Sequence, residues 1–245
     1  MSGKYRFFVI SLVLALAISA CGGQVSVSTP TSGTNISFNG TSFIIPMGLA
    51  TATANDVVPV SDGLVMWPEH IRFTLQGYEL TDRALAPQIS IFSVDEYAQL
   101  SKESGATIST LQNLLKSQQV SSSDMLPFLP EPRAQQMMHV QEKFTTFENG
   151  NGIRYITEYS QAAFPNISGD MFYTFQGLTS DGKYYVSISL PIELPQLTGV
   201  SAPESSDTYP GYLTSTINLL NHTDNTFNPS LESLDELVQS LQVQK

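Results

Sequence analysis

Two pairs of short segments with alternating polarity constrain the fold of this chain more than any other feature. Residues 138–147 and 153–159 flank a polar connection with two glycines, and residues 171–178 and 184–190 flank a connection that contains Asp181-Gly182. Alternation of apolar and polar side chains is the pattern of a β-strand with one buried face. Glycine in a short polar connection favours a tight turn, so each pair predicts an antiparallel hairpin. We therefore expect a sheet that contains four consecutive antiparallel strands.

Further strands are predicted before these hairpins. Residues 71–80 carry apolar side chains at alternate positions, residues 87–94 read as another strand, and the polar segment between them predicts a third hairpin. Residues 42–46 read as a short strand, and we expect a second short strand within residues 47–62. These segments should extend the same antiparallel arrangement.

One helix is predicted between the early and the later strands. Ser93 is followed three residues later by Glu96, which is the spacing of a capping box at the start of a helix. Apolar side chains at helical spacing continue to about residues 116–119, where we expect the helix to end. Ser104-Gly105 should break or bend it, because glycine disfavours the helix interior.

Two helices are predicted near the C-terminus. Residues 209–221 show apolar side chains at helical spacing, and Asn228-Pro229 has the composition of an N-cap followed by proline in the first turn. The apolar stripe of the last helix consists of Leu231, Leu234, Leu237, Val238 and Leu241. This stripe should pack on the sheet.

This order of elements is typical of an α+β fold: a single domain in which helices pack on an antiparallel β-sheet. It resembles the Mog1/PsbP-like fold, which also occurs in small bacterial lipoproteins. The stretches FTLQGY, LPFLP and FYTFQGLTSDGKYYV also resemble a group of uncharacterised bacterial surface lipoproteins. The resemblance implies a fold and a location, and it implies no activity.

The N-terminus carries the features of an export signal. Two basic residues precede an apolar run over residues 7–20, which is too short to cross a membrane, since a span needs about 20 residues. The run ends in Ile18-Ser19-Ala20-Cys21, which resembles the lipobox of bacterial lipoproteins. That resemblance implies that residues 1–20 are a signal peptide and that Cys21 is the lipid attachment site.

An ordinary cleaved signal and an uncleaved anchor are the alternatives to this interpretation. Ordinary cleavage after Ala20 would place Ile18 three residues before the cut, where small residues are preferred. Cys21 is also the only cysteine, so it cannot form a disulfide within the chain. Residues 21–40 are uncharged and rich in Ser, Thr, Gly and Asn, which predicts a flexible tether before a domain over residues 41–245.

The charge balance excludes some partners. Residues 1–20 hold two of the 11 basic residues and none of the 22 acidic ones, so the remainder carries nine basic and 22 acidic residues, a net charge of −13. Nucleic-acid binding requires a basic surface, so no nucleic-acid partner is expected. An acidic surface also gives no attraction to anionic lipid, so we expect lipid on Cys21 to be the attachment to the membrane.

The sequence lacks the common catalytic and metal-binding motifs. It contains no Gly-x-Ser-x-Gly elbow, no phosphate-binding loop and no His-Glu-x-x-His, so we expect neither catalytic residues nor a cofactor. The three histidines, His70, His139 and His222, are far apart in sequence, and only the fold could bring them together at a zinc ion. An envelope hydrolase remains the alternative, and it requires two or more side chains to converge in one cleft, from the set Glu69, His70, His139, Glu142 and Glu158.

The aromatic residues supply the candidate contact surface. Trp67 and His70 lie in one short apolar segment, and Tyr184 and Tyr185 should point to opposite faces of a strand, so that one of them is exposed. We therefore nominate Trp67, His70 and Tyr185 as a patch for a ligand or a partner, with packing in the core as the alternative role. The expected function is a non-catalytic, lipid-anchored module on the extracytoplasmic side of the membrane. Its partner would be an envelope protein or a small ligand, and an assembly factor for a membrane complex is a further alternative.

Overall fold

The computed structural model describes residues 32–121, 124–223 and 226–244. The strands are β1 Gly33–Phe38, β2 Thr41–Pro46, β3 Ala52–Val58, β4 Ser61–Asp62, β5 Met66–Trp67, β6 His70–Gln76, β7 Gln88–Ser93, β8 Gln135–Phe147, β9 Gly150–Ser160, β10 Phe172–Thr179, β11 Tyr184–Pro191 and β12 Gln242–Val243. The helices are α1 Val94–Leu100, α2 Lys102–Ser117, α3 Ile167–Asp170, α4 Tyr209–His222 and α5 Leu231–Gln239, with a short 3₁₀ helix at Pro195–Leu197.

Seven strands form one antiparallel sheet in the order β3-β6-β7-β11-β10-β9-β8. The three predicted hairpins are β6–β7, β8–β9 and β10–β11, and each pairs antiparallel as expected. Every residue of β10 is buried, because helices and a smaller sheet cover the two faces of the main sheet. The predicted α+β class, with helices packed on an antiparallel sheet, is confirmed.

The two faces of the main sheet have separate cores. On one face, α4, α5 and the small sheet β1-β2-β12 enclose aromatic residues such as Phe73, Tyr173 and Phe175. On the other face, α1 and α2 cover a smaller core that includes Tyr155 and Tyr185. The edge strands of the main sheet are β3 and β8.

The predicted tether, residues 21–40, includes residues that belong to the folded domain. Residues 33–38 form β1, which pairs antiparallel with β2, and the Phe38 ring lies 6.1 Å from the Phe73 ring. Asn39-Gly40 makes the turn between these strands, and both residues have positive φ, of 46° and 79°. The domain boundary at residue 41 is therefore wrong, because the polar composition concealed an Asn-Gly hairpin turn. Residues 1–31, with Cys21, lie outside the described residues.

Two helix boundaries also differ from the prediction. The break between α1 and α2 falls at Ser101 and not at Ser104-Gly105, because the Ser101 hydroxyl caps α2 by accepting from the Ser104 N–H at 3.2 Å. The N-cap of α5 is Ser230, which accepts from the Ser233 N–H at 3.2 Å. Asn228 instead pairs with Glu193 through its backbone, so it precedes the helix.

Candidate functional site

The fold aligns two of the predicted patch residues, but it buries both of them. His70, Phe92 and Tyr185 are direct cross-strand partners on β6, β7 and β11. Tyr185 has no exposed surface, and its hydroxyl donates to Gln176 Oε1 at 2.6 Å. The expected exposure of Tyr185 is wrong, because α1 and α2 cover this face of the sheet. Its half-buried neighbour Tyr184 points to the other face.

His70 also has the environment of a packing residue. Its Nδ1–H donates to the Pro68 carbonyl at 2.9 Å, and its ring centroid lies 4.4 Å from that of Phe92. Burial lowers the pKa of His70, so the imidazole is neutral at physiological pH. The centroid of the Trp67 ring lies 6.2 Å from that of His70 in a T-shaped contact. Trp67 therefore connects the buried residues His70, Phe92 and Tyr185 to the surface.

Trp67 belongs to a hairpin that exposes apolar side chains. Its indole N–H donates to the Pro59 carbonyl at 3.1 Å, and the Leu64 carbonyl accepts from Arg133 Nε at 2.7 Å. Leu64 is 74% exposed and Val60 is 60% exposed, and Val57 is also exposed on the adjoining end of β3. We call Val57, Val60, Leu64 and Trp67 the apolar hairpin surface. Trp67, which is half-buried, is the one residue of the predicted patch that this surface contains.

A second candidate site lies along the opposite edge of the main sheet. A cleft of about 480 Å³ borders the edge strand β8, and we call it the β8 cleft. The loop after α2 and one face of α4 complete its walls. The residues that line the cleft include Met125, Met137, Met138, His139, Glu142 and Ile217.

A β-bulge creates the main polar contact of this cleft. His139 and Glu142 are three residues apart on β8, so in a regular strand they would point to opposite faces. The register of β8 against β9 shifts between Val140 and Lys143, and Gln141 within the shift has a φ of 58°. The extra residue turns Glu142 back toward His139, and Nδ1 of His139 contacts Oε1 of Glu142.

The C-terminal end of α4 holds this bulge in place. The Gln141 N–H donates to Asn221 Oδ1 at 3.2 Å, and the Gln141 side-chain amide donates to the Leu220 carbonyl at 2.8 Å. The same amide reaches the carbonyls of Asn221 and Thr223, each at 3.3 Å. Four hydrogen bonds therefore tie the bulge to the helix that forms one wall of the cleft.

The contact between His139 and Glu142 orients the imidazole. Burial would raise the pKa of Glu142, but the hydrogen bond from His139 and the nearby Arg154 charge outweigh it, so the pKa is lowered. An ionised carboxylate accepts the Nδ1–H, which leaves Nε2 as the free ring nitrogen. Nε2 is buried and has no hydrogen-bond partner among the described residues, and the His139 side chain is only 5% exposed.

A separate charged cluster joins α5 to the sheet. Asp235 accepts from the Tyr173 hydroxyl at 3.0 Å and from Lys143 Nζ at 2.8 Å, and Arg154 Nε lies 3.2 Å from its carboxylate. Arg154 also donates to the Gln141 carbonyl. Burial, followed by the Asp235 charge, raises the pKa of Tyr173. All four side chains bond to each other or to the backbone, which indicates a structural role.

An envelope hydrolase would require two or more of five named acidic and histidine side chains to converge in one cleft. The fold brings only some of the five together. His139 and Glu142 converge in the β8 cleft, whereas Glu158 is not among its lining residues and His70 lies on β6, five strands away. Glu69 and His70 instead line a small cleft of about 150 Å³ near β6. Across the described part of the chain, no three His, Cys, Asp or Glu side chains are grouped closely enough to hold a metal ion.

No protein-family model matches this chain, and no curated protein matches it. Within the described residues, none of the helices combines the length and the apolar character that crossing a membrane requires.

Proposed function

We propose that the chain is a lipid-anchored, extracytoplasmic lipoprotein whose domain serves as a non-catalytic interaction module. The lipobox-like sequence before Cys21 and the uncharged segment after it support the anchor. The apolar hairpin surface supports the interaction, and it carries the proposal. Monomeric proteins rarely expose several large apolar side chains together, and such patches mark contact sites for other proteins.

The position and rigidity of this surface favour an envelope protein as the partner. Hydrogen bonds from Trp67 and Arg133 fix the hairpin that carries Val60 and Leu64. A fixed apolar surface loses little conformational entropy when a partner binds it. Because the domain would be confined near the membrane, its partner should also belong to the envelope, as it would for an assembly factor.

A photo-crosslinking amino acid at Leu64 tests the contact in intact cells. We expect a discrete adduct with one envelope protein at Leu64 and at Val60, and none at Met47, which is equally exposed on a different loop. The Val60→Ser change should weaken the adduct formed at Leu64. The absence of an adduct at Val57, Val60 and Leu64 alike would contradict the proposed contact surface.

Cys21→Ala tests the anchor separately. The variant should move from the membrane fraction to the soluble fraction and keep its folded circular dichroism spectrum, because lipid on Cys21 is proposed as the attachment. A folded variant that stays with the membrane would reveal a second membrane contact.

A second candidate function, an envelope hydrolase, is favoured by one observation. His139 and Glu142 meet in a cleft, and a histidine oriented by a carboxylate can act as a general base. Chromogenic ester, peptide, phosphate and glycoside substrates test this candidate. Turnover by the wild type that disappears in His139→Gln would favour the hydrolase over the interaction module.

A further inference from the structure

A small cleft lies where one end of the main sheet faces the sheet β1-β2-β12, and we call it the β6 cleft. Its volume is about 150 Å³, which equals that of about five water molecules at roughly 30 Å³ each. The exposed side chains of Glu69 and Glu96 stand at its rim, and buried Thr41 lies in its wall. We propose that the β6 cleft binds the ammonium group of a small primary amine. The cleft shares no residue with the apolar hairpin surface.

The register of the main sheet places the side chains of this cleft on one face. Ile71 pairs directly with Ile91, and both belong to the core beneath the small sheet. Ser93 lies two residues beyond Ile91 on β7, so its side chain points to the same face. Ser93 in turn pairs with Tyr184, which packs partly against the same core. These four side chains therefore form two neighbouring rows at one end of the sheet.

Thr41 brings an unused hydroxyl to the cleft from the opposite sheet. It lies two residues before Phe43 on β2, so the two side chains point the same way. The Phe43 ring lies 5.1 Å from the Phe73 ring of the main sheet, so this side of β2 faces the main sheet. Thr41 is 1% exposed, and its Oγ1 atom has no hydrogen-bond partner among the described residues. Because the large majority of buried polar side-chain atoms have a partner, this hydroxyl points to a polar group of a ligand.

The charge at the rim of the cleft is negative. The Glu96 N–H donates to the Ser93 hydroxyl at 3.3 Å, which fixes the first turn of α1 beside the end of β7. Glu96 and Glu69 therefore border the same opening, and the described residues that line it include no Lys or Arg. Lys183 lies nearby in sequence, but it is paired with Asp181 at 3.5 Å. This balance of charge selects a cation.

The apolar part of the lining favours an organic cation over a metal ion. Ile71, Ile91 and Val243 are buried in the walls, and the ring of Tyr184 is half-buried beside them. Ca²⁺ takes about six to eight oxygen ligands, and the described residues hold no group of three His, Cys, Asp or Glu side chains. An alkylammonium ion instead donates hydrogen bonds to carboxylate and hydroxyl oxygens. Its charge is attracted to an aromatic ring, and its carbon chain can pack on aliphatic side chains.

Methyl NMR on the full chain in detergent tests the site with n-butylammonium chloride. The methyl signals of Ile71 and Ile91 should shift until the site is saturated. The signal of Ile153, which lies in the core on the other face of the sheet, should stay in place. 1-Butanol has a similar shape and no charge, so it should shift none of the three. Equal shifts with 1-butanol, or no shift at Ile71 and Ile91 with n-butylammonium, would overturn the proposal.

Two substitutions and one matched control locate the contacts of the ammonium group. Glu96→Gln should weaken n-butylammonium binding about tenfold, because a hydrogen bond to a charged group is lost. Asp95→Asn removes a neighbouring charge from the same turn of α1 without touching the cleft, so it should bind as the wild type does. Thr41→Val should weaken binding about fivefold and leave the thermal midpoint equal or higher, because the hydroxyl has no partner within the protein. Wild-type affinity in Glu96→Gln or in Thr41→Val would overturn the proposal.

Two further probes identify the source of the cation. Nα-acetyl-lysine amide carries the ammonium group of a lysine side chain, so tighter binding than that of n-butylammonium would assign the cleft to a lysine of a partner protein. Tighter binding of n-butylammonium would assign it to a free amine, and either result supports the ammonium site. Calcium chloride that shifts the same methyl signals and displaces n-butylammonium at a lower concentration would overturn the ligand class.

Discussion

Replacing Glu158 with glutamine should make the folded protein more stable at neutral and alkaline pH. Glu158 lies on β9, is only 3% exposed, and its Oε2 atom is buried without a hydrogen-bond partner among the described residues. Burial, together with the nearby Asp170 carboxylate, raises the pKa of Glu158 from 4.5 to about 8. The folded protein therefore keeps a proton on Glu158 at a pH where the unfolded chain has released it.

The sign and the size of the effect follow from this difference in pKa. The contribution of Glu158 to stability is present in full below about pH 4.5 and is lost as the pH rises to about 8. Each pKa unit corresponds to about 1.36 kcal/mol, so the free energy of unfolding should fall by about 5 kcal/mol across this window, and by about 3 kcal/mol at pH 7. Glutamine has nearly the same shape and does not ionise, so Glu158→Gln should remove this loss.

Urea unfolding at pH 5, 7 and 9 measures the effect directly. The stability of Glu158→Gln should exceed that of the wild type by an amount that grows with pH, while exposed Glu148→Gln should follow the wild-type profile. Asp170→Asn should lower the pKa of Glu158 and reduce the loss at high pH. A stability difference between wild type and Glu158→Gln that is independent of pH would refute the assignment of a neutral, buried Glu158.

Two further changes test the packing of the fold. Asp235→Ala should lower the free energy of unfolding by about 3–5 kcal/mol, because it leaves a buried arginine without its partner. The control Asp56→Ala breaks an exposed ion pair and should cost less than about 1 kcal/mol. Equal costs of the two changes in urea unfolding would contradict the structural role of Asp235. Gly152→Ala would place a methyl group 2.4 Å from the Phe175 ring and should lower the free energy of unfolding by about 1–3 kcal/mol. Gly211→Ala, with open space around it on α4, should leave the thermal midpoint equal or higher. A tolerated Gly152→Ala would show that β9 and the Phe175 ring on β10 do not approach so closely.

The strands were predictable from sequence because each carries its own alternating pattern and its own turn. The β1–β2 hairpin was missed although Asn39-Gly40 is a strong turn signal, because its polar strand residues read as a tether. Alternation placed Tyr184 and Tyr185 on opposite faces, but it could not show that helices cover both faces of the sheet. The contact between His139 and Glu142 depends on a bulge, and no regular period in the sequence marks it.

The pairing of β1 with β2 has a mechanical consequence under the proposed anchorage. Gly33 pairs with Pro46 and Phe38 with Thr41, so the strand begins beside the end of its partner. Tension from the membrane would enter at Gly33 and load the hydrogen bonds one pair at a time. Gly33–Asn35 are exposed, so the first pairs would release without opening the core. These three residues, once extended, would lengthen the linker by roughly 10 Å, so the first half of β1 can extend under load while Ile36 and Phe38 stay packed against the core.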